Sequence, residues 1–141
     1  MSIYVIPAWS VYVDYRGPLI STNQSYKRTR TGILYKSTEA KTVQAAMALA
    51  AKRAMRDRIM LEGPIEILLD YWFANRRPDL DGCIKPTLDS LEGVVYQNDR
   101  QVVRLSVAKH VADFPKEVGF ALTAHSVKES NLIRASLNGD T

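Results

Sequence analysis

Hydrophobic and polar positions change period several times along the 141-residue chain, and each change marks an element. Residues 3–6 and 9–15 are rich in β-branched and aromatic side chains with partial alternation. Pro7 interrupts them, so one strand or two short ones are expected. From residue 17 to 36 the pattern dissolves into Pro18, Ser21, Thr22, Asn23, Gln24, Ser25 and Gly32, which predicts a loop. Val43, Met47, Ala50 and Ala54 then recur at helical spacing behind Ser37 or Thr38 as cap. A helix is expected to about Met60, with Gly63-Pro64 as the stop. Across residues 65–73 the period falls to two, with Ile65, Ile67, Leu69, Tyr71 and Phe73 on one side and Glu66, Leu68, Asp70 and Trp72 on the other, a half-buried strand. Leu80, Ile84, Leu88 and Leu91 restore the helical period, with Asp79 or Asp81 as cap and Gly93 as terminator. Pro86 restricts where that helix begins, because proline beyond the first turn deletes a backbone bond and clashes. Two closing strands are expected at 102–111 and 118–127 around a turn at 113–116, and residues 128–141 read as a polar tail. The order strand(s), helix, strand, helix, strand, strand predicts an α+β fold, a mixed sheet of about four to five strands packed with two helices in one domain over residues 1–127.

Composition narrows the class. With 46% hydrophobic and 24% charged residues, 7 Gly and 6 Pro, the chain has ordinary globular usage, which excludes a collagen-like or low-complexity polymer. The uncharged run 1–13 has no basic residue before it and no small-residue cleavage site after it, and it falls short of the ~20 apolar residues of a spanning helix. Cys83, the single cysteine, forms no internal disulfide and builds no cysteine-based zinc site. A cytoplasmic protein without membrane contact is expected. Charge is unevenly spread: between Tyr26 and Met60 nine Lys and Arg face two acids, whereas from Leu61 to Asp113 nine acids face six bases. The first segment invites a phosphate-bearing partner.

The acidic segment carries the candidate chemistry. Asp79, Asp81, Lys85, Asp89 and Asp99 gather around one short expected helix, and Asp79 and Asp81 stand at its N-terminus, where the helix dipole favours ionised carboxylates. A helix over 82–92 is about 16 Å long. The six steps from Gly93 to Asp99 stretch back about 20 Å, so Asp99 is expected to return to the Asp79/Asp81 end. Three oxygen donors with no histidine near in sequence suit Mg²⁺ or Mn²⁺ better than zinc or copper. Taken singly, each residue has a plainer reading: Asp before a helix is a common cap, and Asp81, Lys85 and Asp89 at i, i+4 and i+8 form a solvated charge ladder. Cys83 reads as core, His110 and His125 as packed or surface residues, and Tyr26, Tyr35, Trp72 and Tyr96 as packing groups.

In combination, these residues resemble the RusA-type Holliday-junction resolvases, metal-dependent endonucleases of bacteria and their prophages. Asp79-Leu80-Asp81-Gly82 follows a basic residue, Lys85 and then Asp89-Ser90-Leu91 come next on the helix, and Asn98-Asp99-Arg100-Gln101-Val102 precedes a strand. A looser match is Ser21-Thr22-Asn23-Gln24-Ser25-Tyr26-Lys27 ahead of the Ser37-capped helix, so the likeness spans about residues 17–127. Gly82 stands where that family usually has Asn, and Asn98 where it usually has the first Asp of a pair. The resemblance implies Asp79, Asp81 and Asp99 as Mg²⁺ ligands, with Mn²⁺ as a substitute, and Lys85 as a catalytic cation. It also implies DNA contacts through Asn23, Tyr26, Lys27, Arg28, Arg30, Arg53, Arg56, Arg58, Arg76 and Arg77. A four-way junction has two-fold symmetry and needs two cuts, so a homodimer without nucleotide cofactor is expected to act in DNA recombination and repair. A non-catalytic nucleic-acid-binding module is the first rival. An Asp-x-Asp nucleotide-sugar transferase is the second, and it lacks the Gly-rich strand-to-helix turn that a phosphate-cradling domain needs.

Overall fold

A computed structural model describes residues 10–127. The expected strand at 3–6, the start of the one at 9–15 and the tail at 128–141 lie outside that range. The alternation of Val11, Val13 and Tyr15 (buried) with Tyr12, Asp14 and Arg16 (exposed) gives β1, Val11–Arg16. The 17–36 segment is not all loop. It contains a single helical turn α1 (Thr22–Ser25) and a hairpin of β2 (Tyr26–Arg28) and β3 (Leu34–Lys36). Ser21 starts α1 through a capping box, its Oγ accepting from the Gln24 N–H while Gln24 Oε1 accepts from the Ser21 N–H.

Helix α2 spans Thr38–Met55 with Ser37 as cap. It stops short of the expected Met60 because Arg56 takes φ +54° and closes its N–H onto the Lys52 carbonyl at 3.0 Å. The chain has to leave the helix there so that the Leu61 N–H can reach the Val95 carbonyl at 2.8 Å and bury the Leu61 side chain. β4 (Ile65–Phe73), α3 (Leu80–Leu91), β5 (Val102–Val111) and β6 (Gly119–Ser126) follow, and the turn before β6 tightens into a 3₁₀ turn at Pro115–Glu117. Gly93 stops α3 as expected, at φ +76°. Pro86, however, is the seventh residue of α3 and not a limit on its start. The carbonyl that loses its donor to a proline at 86 belongs to Gly82, and it accepts instead from Thr22 Oγ1 at 3.1 Å.

The main sheet is mixed, in the order β1-β6-β4-β5, with β4 and β5 parallel and the other neighbours antiparallel. The fold is α+β, as expected, with the hairpin and α1 as additions. Ile65, Ile67, Leu69, Tyr71 and Phe73 of β4 join Val11, Val13, Phe120, Leu122 and Met47 in one core beneath α2 and α3. Tyr12 and Leu68, 58% and 44% exposed, stand on the opposite face. Parallel strands need a crossover, and α3 is that crossover. The carboxyl end of β4 therefore opens directly into the loop that ends at Asp79, with Asp81 in the first turn of α3.

Candidate functional site

The β4–α3 loop is exposed but tied down. Lys109 of β5, opposite Tyr71 in register, donates from Nζ to the Arg76 carbonyl at 2.7 Å and the Pro78 carbonyl at 2.5 Å, with the ammonium 5.7 Å from the Phe73 ring centre. Asp79 occupies the N-cap position of α3 with no side-chain capping bond, so its carboxylate remains available. Asp81 follows in the first turn; both are exposed, at the end of the helix where the dipole favours anions. Beneath them the buried Tyr71 hydroxyl lies 2.7 Å from Thr87 Oγ1 and 3.1 Å from the Cys83 carbonyl, fixing α3 on β4. Cys83 is core, as expected, and burial pushes its thiol up to about 11, with the Asp81 charge adding to the shift.

One turn further on, Lys85 organises a second group of carboxylates. Its Nζ donates to Asp89 Oδ1 at 2.7 Å and to Asp99 Oδ2 at 2.9 Å. These bonds raise the Lys85 pKa, Asp89 first and Asp99 second, and the Lys85 bond is the main cause that lowers Asp99. Glu92 Oε1 accepts from the Asp99 N–H at 3.0 Å. Ligand oxygens of Asp89, Glu92 and Asp99 lie within 4.8 Å of one another, an all-oxygen donor set that suits a hard divalent cation. Asp99 comes back along α3 to Lys85 and groups with Asp89 and Glu92, not with the Asp79/Asp81 pair it was expected to join, which stands outside this group of three. Glu92 escaped the sequence reading, although its spacing of seven from Lys85 and three from Asp89 places it on the same helical face.

The return of Asp99 is held by two side chains. The Tyr96 hydroxyl donates to the Leu88 carbonyl at 2.6 Å. Gln101 accepts from the Gln97 and Asn98 N–H groups and donates to the Leu61 and Gly63 carbonyls, each at 3.0 Å. Tyr96 is packing, as expected; Tyr26 and Tyr35 are not, being 44% and 45% exposed on the hairpin.

The basic candidates fall into separate groups. Asn23, Tyr26, Lys27, Arg28 and Arg30 belong to α1 and the hairpin, whose root is bonded to α3 through Thr22. Arg76 and Arg77 are exposed in the loop just before Asp79. Arg53 lies in the last turn of α2, while Arg56 and Arg58 lie beyond it and not on a longer helix, with Arg58 Nη1 donating to the Ser10 carbonyl at 3.0 Å. Gln44 of α2 donates to the Pro86 carbonyl, and Arg53 stands about 14 Å further along the axis.

Residues 17–118 match the family model of Endodeoxyribonuclease RusA. The chain belongs to the RusA endodeoxyribonuclease family. The RusA match runs from before the Ser21 capping box to beyond the Gln101 anchor. No curated protein matches the chain. Of the two departures from the RusA pattern, Asn98 still caps the 3₁₀ turn Asp99–Gln101, accepting from the Arg100 N–H at 2.9 Å, a task Asp performs equally. At Gly82 a Cβ would meet Ser21 Cβ at 3.5 Å, ordinary contact, so a larger residue is sterically tolerated.

Proposed function

We propose that this protein is a Mg²⁺-dependent, structure-specific endonuclease that resolves four-way DNA junctions by paired phosphodiester hydrolysis in recombination and repair, as a homodimer. The observation that carries the reading is the RusA family match across the whole carboxylate-bearing segment. Asp79, Asp81 and Asp99 are the metal ligands in this reading, with Mn²⁺ as a substitute ion. Asp79 and Asp81 suit the role because, among the described residues, neither carboxylate is spent on a hydrogen bond or an ion pair. Bound Mg²⁺ supplies a lowered pKa for water and neutralises charge on the scissile phosphate.

Lys85 then has one of two duties, protonating the leaving oxygen or stabilising transition-state charge. Its raised pKa supports the second, since the ammonium stays charged throughout the working range. Arg76 and Arg77 hold the phosphates that flank the cut, and the hairpin and the basic groups around Arg53 extend that track without reading bases. The competing reading, a non-catalytic binding module, finds support in the Lys85 ammonium seated between Asp89 and Asp99, where it neutralises carboxylates that a metal would need.

The test is cleavage of a synthetic four-way junction. Wild-type protein is expected to cut it only with Mg²⁺ or Mn²⁺. Asp81→Asn and Asp99→Asn are each expected to lower the rate about a hundredfold or more while junction affinity is kept or slightly raised, because each removes charge without adding bulk. A variant that cuts at the wild-type rate takes its residue out of the site, and wild-type binding without metal-dependent cutting overturns the nuclease reading.

A further inference from the structure

The β2–β3 hairpin presents large apolar side chains to solvent. Tyr26, Ile33, Leu34 and Tyr35 are 44%, 64%, 55% and 45% exposed on eleven residues of chain. Register places each apolar residue of the strands opposite a cation: Tyr26 with Lys36, Tyr35 with Lys27, Leu34 with Arg28. Directly opposed residues share a face, so both faces of the hairpin carry an apolar group beside a positive charge. Between Tyr15 and Thr38 there is no acidic residue. Among the described residues, the Lys27, Arg28 and Arg30 side chains form no hydrogen bond or ion pair.

Hydrogen bonds close the hairpin at its tip and tie it at its base. At its tip the Thr29 N–H donates to the Ile33 carbonyl at 2.9 Å, the Gly32 N–H to the Thr29 carbonyl at 3.0 Å, and the Ile33 N–H to Thr29 Oγ1 at 3.1 Å. At its base the Ser37 N–H donates to the Ser25 carbonyl at 2.8 Å, and Lys36 donates to Gln44, which itself donates to the Pro86 carbonyl. Thr22 on the Gly82 carbonyl ties the root directly to α3 beside Asp81, and Lys36 reaches α3 beside Lys85 through Gln44 of α2.

A second copy of the hairpin is a poor partner, since like charges would meet. An intact duplex offers phosphates to the cations but buries its base faces, which leaves the apolar residues in water. A branch point offers both: phosphates on the strands and terminal pairs whose stacking is interrupted. We propose that the hairpin is a wedge that enters the branch point of the DNA junction, Leu34 and Tyr35 against unstacked bases and Lys27, Arg28 and Arg30 on the flanking phosphates. The idea rests on the junction-cutting reading above. Apolar side chains pressed between base steps are a known way to open and bend DNA, and aromatic faces accept any unstacked base. The reach is consistent: four extended residues from root to tip span about 13 Å, the height of some four base-pair steps, so the cut would fall a few pairs from the branch point.

The experiment uses the full chain and an immobile junction of four synthetic oligonucleotides with 2-aminopurine at the branch point. Ca²⁺ replaces Mg²⁺ for binding, and Mg²⁺ is restored for cutting. Wild-type protein is expected to raise the 2-aminopurine fluorescence at least twofold. A Leu34→Ser/Tyr35→Ala variant should still bind but lose most of that rise and cut about tenfold more slowly. On a junction whose branch-point pairs are mismatched, and so already open, the variant should recover to within about twofold of wild type. An unchanged fluorescence rise in the variant, or no recovery on the mismatched junction, overturns the wedge. Wild-type protein that neither binds nor cuts the junction overturns the junction reading and the wedge with it, whereas wild-type cutting with no fluorescence rise overturns the wedge alone.

Discussion

Pro86 should damage α3, and a single threonine from another element offsets the damage. The Gly82 carbonyl, deprived of its helical donor, accepts from Thr22 Oγ1. Thr22→Val is therefore expected to destabilise the protein by about 1 kcal/mol, the usual worth of one such bond. In a Pro86→Ala background, where the new residue supplies the missing N–H, the same change should cost less than half as much. Chemical denaturation of the four proteins in this cycle reads the coupling directly; equal costs in both backgrounds would show that the threonine does not serve the proline. Cys83, one residue on from Gly82, gives a pH prediction. Its thiol ionises near 9.0 when free and near 11 in the fold, so the unfolded chain loses its proton first and stability should fall as pH rises from about 9 towards 11. Cys83→Ser should flatten that decline in a series of melting curves, and in the native wild-type protein at pH 8 the thiol should resist iodoacetamide.

At the scale of elements, what could be read in advance was whatever buries one face. β4 and α3 declare themselves because their apolar residues repeat at two and at 3.6 against a single core. The hairpin hides because both of its faces meet solvent, so Tyr26-Lys27-Arg28 and Leu34-Tyr35-Lys36 show no buried alternation to detect. The early end of α2 hides because Arg56, with no Gly or Pro signal, is driven to positive φ by the need to bring Leu61 to Val95. The α1 signal was present in Ser21-x-x-Gln24, a capping box set in polar surroundings. The part played by Lys109 is beyond any sequence pattern, since it depends on the parallel register that sets Lys109 beside Tyr71 and over the loop leading to Asp79. Lys109→Met keeps the apolar stem against Phe73 and removes both loop bonds. It is expected to lower kcat for junction cutting by about ten- to a hundredfold, as a carboxylate displaced by an ångström would, with little change in melting temperature or junction affinity. An unchanged kcat would free the loop from dependence on Lys109.

For the whole molecule, the governing constraint is the count of sites per substrate. In the proposed reading each chain carries one set of Asp79, Asp81 and Asp99, yet separating a junction into two duplexes requires matched cuts on opposing strands. An isologous dimer sets its two sites about the same two-fold axis as the junction and joins two basic hairpins and two Arg76-Arg77 loops into one positive surface. A heterodimer of one wild-type and one Asp81→Asn chain, isolated by separate tags on the two chains, should then bind normally and make a single incision. A supercoiled plasmid that extrudes a cruciform reports the difference, since two cuts in one binding event give linear DNA and one cut gives a nicked circle. Wild-type dimer is expected to yield mainly linear product, the heterodimer mainly nicked circles, and the double variant neither. Linear DNA from the heterodimer within one binding event would mean that a single site serves both strands, which the symmetry argument forbids.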